Sequence, residues 1–279
     1  MQIVLTIAGF DPSSGAGVTA DLKTFAAHGL FATACITALT VQSTLGVIST
    51  HPTPASVVAA TLDCLQVDLP PAGIKIGMLA AEYIVNEIII YIEKIKLMDA
   101  ENRQPIIVLD PILRSSSGRE LLDPTALSSL RERLLPLVDW VTPNLAELSI
   151  LAGVEVACRE DLPIASRALQ SGVAQSSGRR IGIFATGGHL DPPDDFLLLP
   201  TGESYWLPGQ RIDSRATHGT GCALSSAFLS RLLLQYDPQQ AALFAKSYVA
   251  RAIQSADIIG KKDSPINHLW PLLKAQHNA

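Results

Sequence analysis

The sequence predicts an α/β protein built on one mainly parallel sheet covered by helices, and three observations carry that reading. Short β-rich runs alternate with longer amphipathic stretches along most of the chain. Hydrophobic residues make up 48% and the mean hydropathy is +0.28, yet no apolar run approaches the roughly 18 residues that span a bilayer, so the apolarity belongs inside. The 279 residues contain no repeat, low-complexity tract or linker long enough to separate domains, which predicts a single domain over 1–279.

Taken in order, Gln2–Ala8 is a β-branched run that moves straight into a Gly/Asp/Pro turn and reads as the first strand. It lacks the basic region and cleavage site of a secretion leader. An amphipathic helix over Val18–His28 and a strand over Ala32–Val41 follow. Ser56–Leu65 suits a helix, Gly73–Gly77 a buried strand, Glu82–Ile95 a helix and Pro105–Leu109 a strand. Pro124–Leu135 is expected as a helix and Trp140–Thr142 as a short strand. Helices at Leu145–Leu151 and Leu162–Gln175 precede a strand at Arg180–Ala185. Phe196–Leu199 and Ser204–Leu207 form a hairpin around Thr201-Gly202. Two helices close the chain, Cys222–Gln235 and Gln239–Ser255, the second opened by the Asp237-Pro238 breaker.

With 21 Lys+Arg against 26 Asp+Glu the net charge is -5, so no basic footprint marks a nucleic-acid or anionic-lipid partner. Cys35, Cys64, Cys158 and Cys222 form no CxxC pair, which argues against a disulfide framework or zinc site and suits a reducing cytoplasm. The expected partners are therefore small molecules.

Ligands of open α/β sheets bind outside the carboxyl ends of the strands. The polar and glycine-rich clusters there are Gly9–Gly17, Gln42–Gly46, Gly77-Met78, Asp110–Gly118, Pro143–Glu147, Gly187–His189 and His218–Cys222. Within Thr217-His218-Gly219-Thr220-Gly221-Cys222, a glycine-bracketed turn feeds a helix whose first amides lack internal partners. The backbone N–H groups of Gly219, Thr220, Gly221 and Cys222 can hold a phosphoryl group in flight. Cys222 in the first turn is either a thiolate favoured by the helix field or a small buried hydrophobe. Around Gly15-Ala16-Gly17, the loop is either a ligand cradle or a tight connection in which Asp11 or Ser13 caps a helix. Asn144 and Glu147 have capping-box spacing, and both are also oxygen ligands suited to a hydrated Mg²⁺ beside a nucleotide. Asp110, ending a strand, is a loop cap or a metal and phosphate organiser.

In sequence order, these clusters resemble the hydroxymethylpyrimidine/phosphomethylpyrimidine kinases of the ribokinase-like superfamily. The resemblance rests on Ala8-Gly9-x-Asp11-Pro12-Ser13-x-Gly15-Ala16-Gly17-x-x-Ala20-Asp21-Leu22-Lys23-Thr24 and Ile36 through Thr44. It continues through Ile74-Lys75-Ile76-Gly77-Met78-Leu79, Leu109-Asp110-Pro111, Thr142-Pro143-Asn144-Leu145-x-Glu147, Gly187-Gly188-His189 and Thr217 through Cys222. It implies a three-layer α/β/α fold and a kinase that uses ATP and Mg²⁺ to phosphorylate hydroxymethylpyrimidine and its monophosphate for thiamine synthesis. By position, Gly9, Asp21, Gln42, Met78 and Ile112 would line the pyrimidine pocket. Gly219, Thr220, Gly221 and Cys222 would form the anion hole, with Cys222 as base. Asp110 and Glu147 would organise Mg²⁺, and Asn144, Thr186, Gly187 and Gly188 would border ATP.

Three departures stand out: Phe10 where relatives place a small residue, Arg114 followed by Ser115, Ser116 and Ser117, and Thr186 where Lys is common. They keep open a non-catalytic pyrimidine-binding relative beside the kinase. A pyridoxal kinase of the same subfamily is the closest enzymatic alternative. The tail after Gly260 is too short for a fused synthase, and relatives are often dimers, so a homodimer is allowed.

Overall fold

The computed structural model describes residues 1–98, 104–114 and 121–272. Among these residues nine strands form one sheet. β1 (Ile3–Phe10) leads through α1 (Gly17–Ala27) to β2 (Phe31–Ser43), β3 (Gly46–Pro52) and α2 (Ala55–Asp68). β4 (Gly73–Ile76), α3 (Glu82–Met98), β5 (Ile106–Leu109), α4 (Pro124–Ser129) and β6 (Trp140–Val141) continue the alternation. α5 (Leu145–Ala152), α6 (Asp161–Ser177), β7 (Gly182–Ala185), β8 (Asp195–Leu198) and β9 (Ser204–Leu207) follow. The chain then runs through β10 (Ala216–His218), α7 (Thr220–Leu233), α8 (Pro238–Gln254) and β11 (Ser264–Pro265).

The sheet order is β3-β2-β1-β4-β5-β6-β7-β8-β9. Pairing is parallel from β2 to β7 and antiparallel at both margins. Side chains alternate between the faces of a strand, and that alternation builds two cores. Leu5 and Ile7 of β1 join Ile74, Ile76, Ile107 and Leu109 beneath α2, α3 and α6. Val4 and Val108 face the opposite layer, where Phe25 of α1, Phe228 of α7 and Tyr248 of α8 lie. The result is the expected three-layer arrangement.

The same alternation gives Lys75 the face opposite to Ile74 and Ile76. It therefore lies under α1 and α7, fully buried. α7 comes so close to β4 that a Cβ on Gly73 would lie 2.9 Å from Leu233 Cδ1.

Three elements differ from expectation. Gly46–Pro52 is a strand antiparallel to β2, so the expected Gln42–Gly46 ligand loop is largely a hairpin end. β10 and β11 pair residues almost fifty positions apart, a contact invisible to local periodicity. The expected helix over Pro124–Leu135 stays α-helical only to Ser129, widens into a π turn over Leu130–Leu134 and tightens to 3-10 at Leu135–Leu137. Pro136 has no N–H with which to continue an α ladder.

Candidate active site

Two glycine loops meet above the sheet. Asp11, at the end of β1, folds the first around its carboxylate. Oδ1 accepts from Ser13 N at 2.8 Å and Ser13 Oγ at 2.7 Å, and Oδ2 accepts from Gly15 N at 3.2 Å and Ala16 N at 2.9 Å. Of the two readings left open for this loop, the helix cap by Asp11 or Ser13 is not formed: Ala16 is the N-cap of α1 and has no side-chain cap bond. Asp11 is a loop organiser instead. Burial works against its charge, but bonds from His218 and Ser13 outweigh it and hold the carboxyl below its ordinary range.

The second loop precedes α7, whose N-cap is Gly219 at φ 89°. That left-handed conformation favours glycine. A Cβ there would also lie 1.8 Å from Gly15 O. The two backbones are thus in contact, and the free amides of Thr220, Gly221 and Cys222 begin at the junction.

Beneath that junction lies a buried charge cluster. Lys75 Nζ donates to Asp21 Oδ1 and Oδ2, both at 3.0 Å, and stands 3.8 Å from Asp110 Oδ2. Thr6 Oγ1 and Ser226 Oγ also donate to Asp21, at 2.6 and 2.8 Å. Asp21 is completely buried and its oxygens are occupied by these partners. The structure therefore places it as the anchor of Lys75, not at a surface where the implied contact with substrate amine or hydroxymethyl would occur. Asp110 accepts from Ser225 Oγ at 3.1 Å, and its Oδ2 lies 4.0 Å from where a Cβ on Gly221 would stand. Burial raises the Asp110 carboxyl despite Lys75.

Cys222 is buried above these charges. Burial, with Asp21 and Asp110 adding to it, pushes the thiol up to about 12, while Lys75 opposes the rise. Desolvation thus outweighs the helix field expected to favour thiolate.

The capping box at α5 is formed as expected: Glu147 N donates to Asn144 Oδ1 at 3.0 Å, and Asn144 N to Glu147 Oε2 at 2.9 Å. Burial and the neighbouring Asp110 push the Glu147 carboxyl up to about 8. Thr186 N donates to Pro143 O at 2.9 Å, which brings Thr186 beside Asn144. Gly187 N donates to Asp195 Oδ1 at 2.8 Å, and Lys246 Nζ holds Asp195 Oδ2 at 2.6 Å. Gly188 is exposed. Among the described residues no three His, Cys, Asp or Glu side chains form a metal cluster. Arg114 is exposed, whereas Ser115, Ser116 and Ser117 lie outside the described residues.

A small apolar patch adjoins the loops. Met78 packs with Ala38 and Leu121, and Ile112 borders them. A Cβ on Gly9 would lie 2.2 Å from Met78 Cε, so the thioether reaches over the β1 backbone. Gln42 stands at the rim, with Nε2 3.3 Å from His218 Nε2. Gly9, Met78 and Ile112 thus share one patch, and Gln42 borders the turn that opens α7 through His218, whereas Asp21 is buried beneath.

Sequence reading assigned no role to Lys75, His218 or His268. A lysine inside a strand predicted to be fully buried was the available signal for Lys75. His268 donates from Nε2 to Gly15 O at 3.0 Å, while Tyr248 OH donates to the His268 carbonyl. Burial lowers the His268 ring to about 4, and its buried Nδ1 has no hydrogen-bond partner among the described residues. No local motif marks it.

A family model described as "Phosphomethylpyrimidine kinase" matches residues 11–267. A Haemophilus influenzae relative named hydroxymethylpyrimidine/phosphomethylpyrimidine kinase is 36% identical, covering 95% of this chain and 96% of its own. The crystal structure of phosphomethylpyrimidine kinase from Clostridium difficile superposes with a TM-score of 0.74 at 32% identity, covering 91% of this chain and 100% of that one. An ADP complex of Bacillus subtilis pyridoxal kinase gives a TM-score of 0.82 at 26% identity, covering 96% and 97%. The fold is the ribokinase-like one these kinases share, and the chain belongs to the phosphomethylpyrimidine kinase family.

Proposed function

We propose that this chain uses ATP and Mg²⁺ to phosphorylate 4-amino-5-hydroxymethyl-2-methylpyrimidine, and its monophosphate to the diphosphate, for thiamine biosynthesis. The observation that carries the reading is that the α7 N-terminus meets the buried charge cluster at Asp110, while Gly77 sets Lys75 of that cluster beside Ile112 of the apolar patch. A flat apolar ring seated on Met78 leaves its hydroxymethyl group facing that helix end. The amides of Gly219, Thr220, Gly221 and Cys222 take the charge that develops on the moving phosphoryl group. In-line transfer requires chiefly positioning and neutralisation, and these donors are fixed by the backbone contact at Gly15.

Asn144, Thr186, Gly187 and Gly188 border the nucleotide in this reading. Asp110 and Glu147 fit a hard cation: both carboxylates are buried and raised by desolvation, Asp110 further by Asp21 and Glu147 further by Asp110. A bound Mg²⁺ supplies neutralisation of the nucleotide phosphates there. Cys222 accepts the hydroxymethyl proton, and the Lys75 ammonium favours the thiolate that this role requires. Asp21 holds Lys75 in place. The same proposal includes a cytoplasmic homodimer; sedimentation velocity tests its oligomeric state.

A coupled ADP-release assay with Mg-ATP tests the proposal. ADP release dependent on either pyrimidine is expected. Ring binding without ADP release would make the chain a pyrimidine sensor.

A further inference from the structure

We propose that His218 is a positioning residue that fixes the carboxamide of Gln42 at the ring edge and ties it to the anion loop; this rests on the pyrimidine-kinase reading. His218 Nε2 lies 2.7 Å from Asp11 Oδ2 and 3.3 Å from the Gln42 side-chain nitrogen. The Asp11 carboxylate can only accept, so Nε2 carries the proton between them. A protonated Nε2 has no lone pair to offer an amide N–H. The intact His218–Asp11 pair therefore favours the amide rotamer that turns the Gln42 oxygen toward His218 and its NH₂ toward Thr40.

Thr40 suits the second end. Its Oγ1 lies 3.2 Å from the Gln42 carboxamide and donates its own proton to Phe10 O at 3.0 Å, leaving a lone pair to accept. The carboxamide nitrogen then donates to Thr40 and keeps one free N–H, while its oxygen lies against the Nε2–H that Asp11 holds and keeps a free lone pair. The free N–H and free lone pair form the donor/acceptor pair that an aminopyrimidine edge requires.

The ring of His218 cannot drift. It is largely buried, its side chain 11% exposed, and Cδ2 lies 2.2 Å from where a Cβ on Gly15 would stand. Its backbone carbonyl accepts from Ile266 N at 3.3 Å, and the next residue is the N-cap of α7. One imidazole thus sets the edge that reads the ring and adjoins the loop that receives the phosphoryl group.

The test is a double-mutant cycle on the full chain, with hydroxymethylpyrimidine dissociation constants measured by calorimetry and AMP-PCP binding as the folding control. His218→Phe keeps a ring but loses Nε2. It is expected to raise the pyrimidine Kd about tenfold, the scale of one well-placed hydrogen-bond set. Gln42→Ala is expected to do the same, and the double variant to be no weaker than about tenfold, because both changes remove one unit. His218→Gln, whose Nε2 can still donate to Asp11, is expected to restore binding to within about threefold. Unchanged Kd in His218→Phe, or additive losses near a hundredfold in the double variant, would overturn the proposal while leaving the kinase reading intact. If the wild-type chain binds no pyrimidine, the kinase reading fails and this inference fails with it.

Discussion

At the scale of single residues, the site is governed by what burial does to charge. Lys75 is buried between Asp21 and Asp110, and removing one partner of a buried pair leaves the other uncompensated. Lys75→Met is expected to destabilise the fold by about 3–5 kcal/mol in urea unfolding, with much of the loss recovered by adding Asp21→Asn. An unchanged unfolding midpoint would show that the cluster is not a charged unit. Glu147 has the opposite effect on the ligand-free protein. Its folded value is raised to about 8, so the proton-bound form favours folding, and that contribution is lost as pH rises from the ordinary carboxyl range through about 8. Glu147→Gln keeps a capping-box acceptor and removes the titration. Its Tm is expected to exceed the wild type's above pH 8 and to match it near pH 4, while its turnover falls. If Cys222 is the base we propose, with its thiol pushed up to about 12, kcat is expected to rise with pH between 7 and 9. Cys222→Ala is expected to lose about 10²-fold or more in kcat with little change in ring affinity. Unaltered turnover in that variant would leave the thiol a packing group.

At the scale of elements, a loop is held by segments far away in sequence. The β10–α7 turn rests on the β1–α1 loop at Gly15 and on the strand formed by Ser264 and Pro265. Gly219→Ala would drive a methyl into the Gly15 carbonyl and strain a φ of 89°. Its expected result is a loss of about 10²-fold in kcat with pyrimidine Kd within about threefold, measured by steady-state kinetics and calorimetry. Near-normal turnover would show that the amides at this turn do not face the reacting phosphoryl group. The sequence made the turn itself legible, because Gly219 and Gly221 bracket a helix start, and the Asn144–Glu147 cap was legible for the same local reason. The contacts that hold them were not legible. His268 reaches Gly15 across the whole chain, and β3 lacks the clean alternation that distinguishes a half-buried strand.

At the scale of the molecule, β1, β4 and β5 were readable as short, almost continuously buried apolar runs because both faces of the sheet are covered by helices. That pattern placed the ligand clusters on one edge before any contact was known. What it could not assign was depth. Asp21 and Gln42 both belong to family motifs, yet one lies sealed under α7 and the other stands at the rim. Relatives in this fold include both pyrimidine and pyridoxal kinases, so overall shape does not choose the ring. In the proposed reading the choice rests on Gln42, Met78 and the loop behind them. The most direct measurement is therefore the ratio of kcat/KM for hydroxymethylpyrimidine to that for pyridoxal with Mg-ATP, each product identified by mass. A ratio well above one, together with conversion of the monophosphate to the diphosphate, is the expected result; a ratio below one would contradict the substrate assignment.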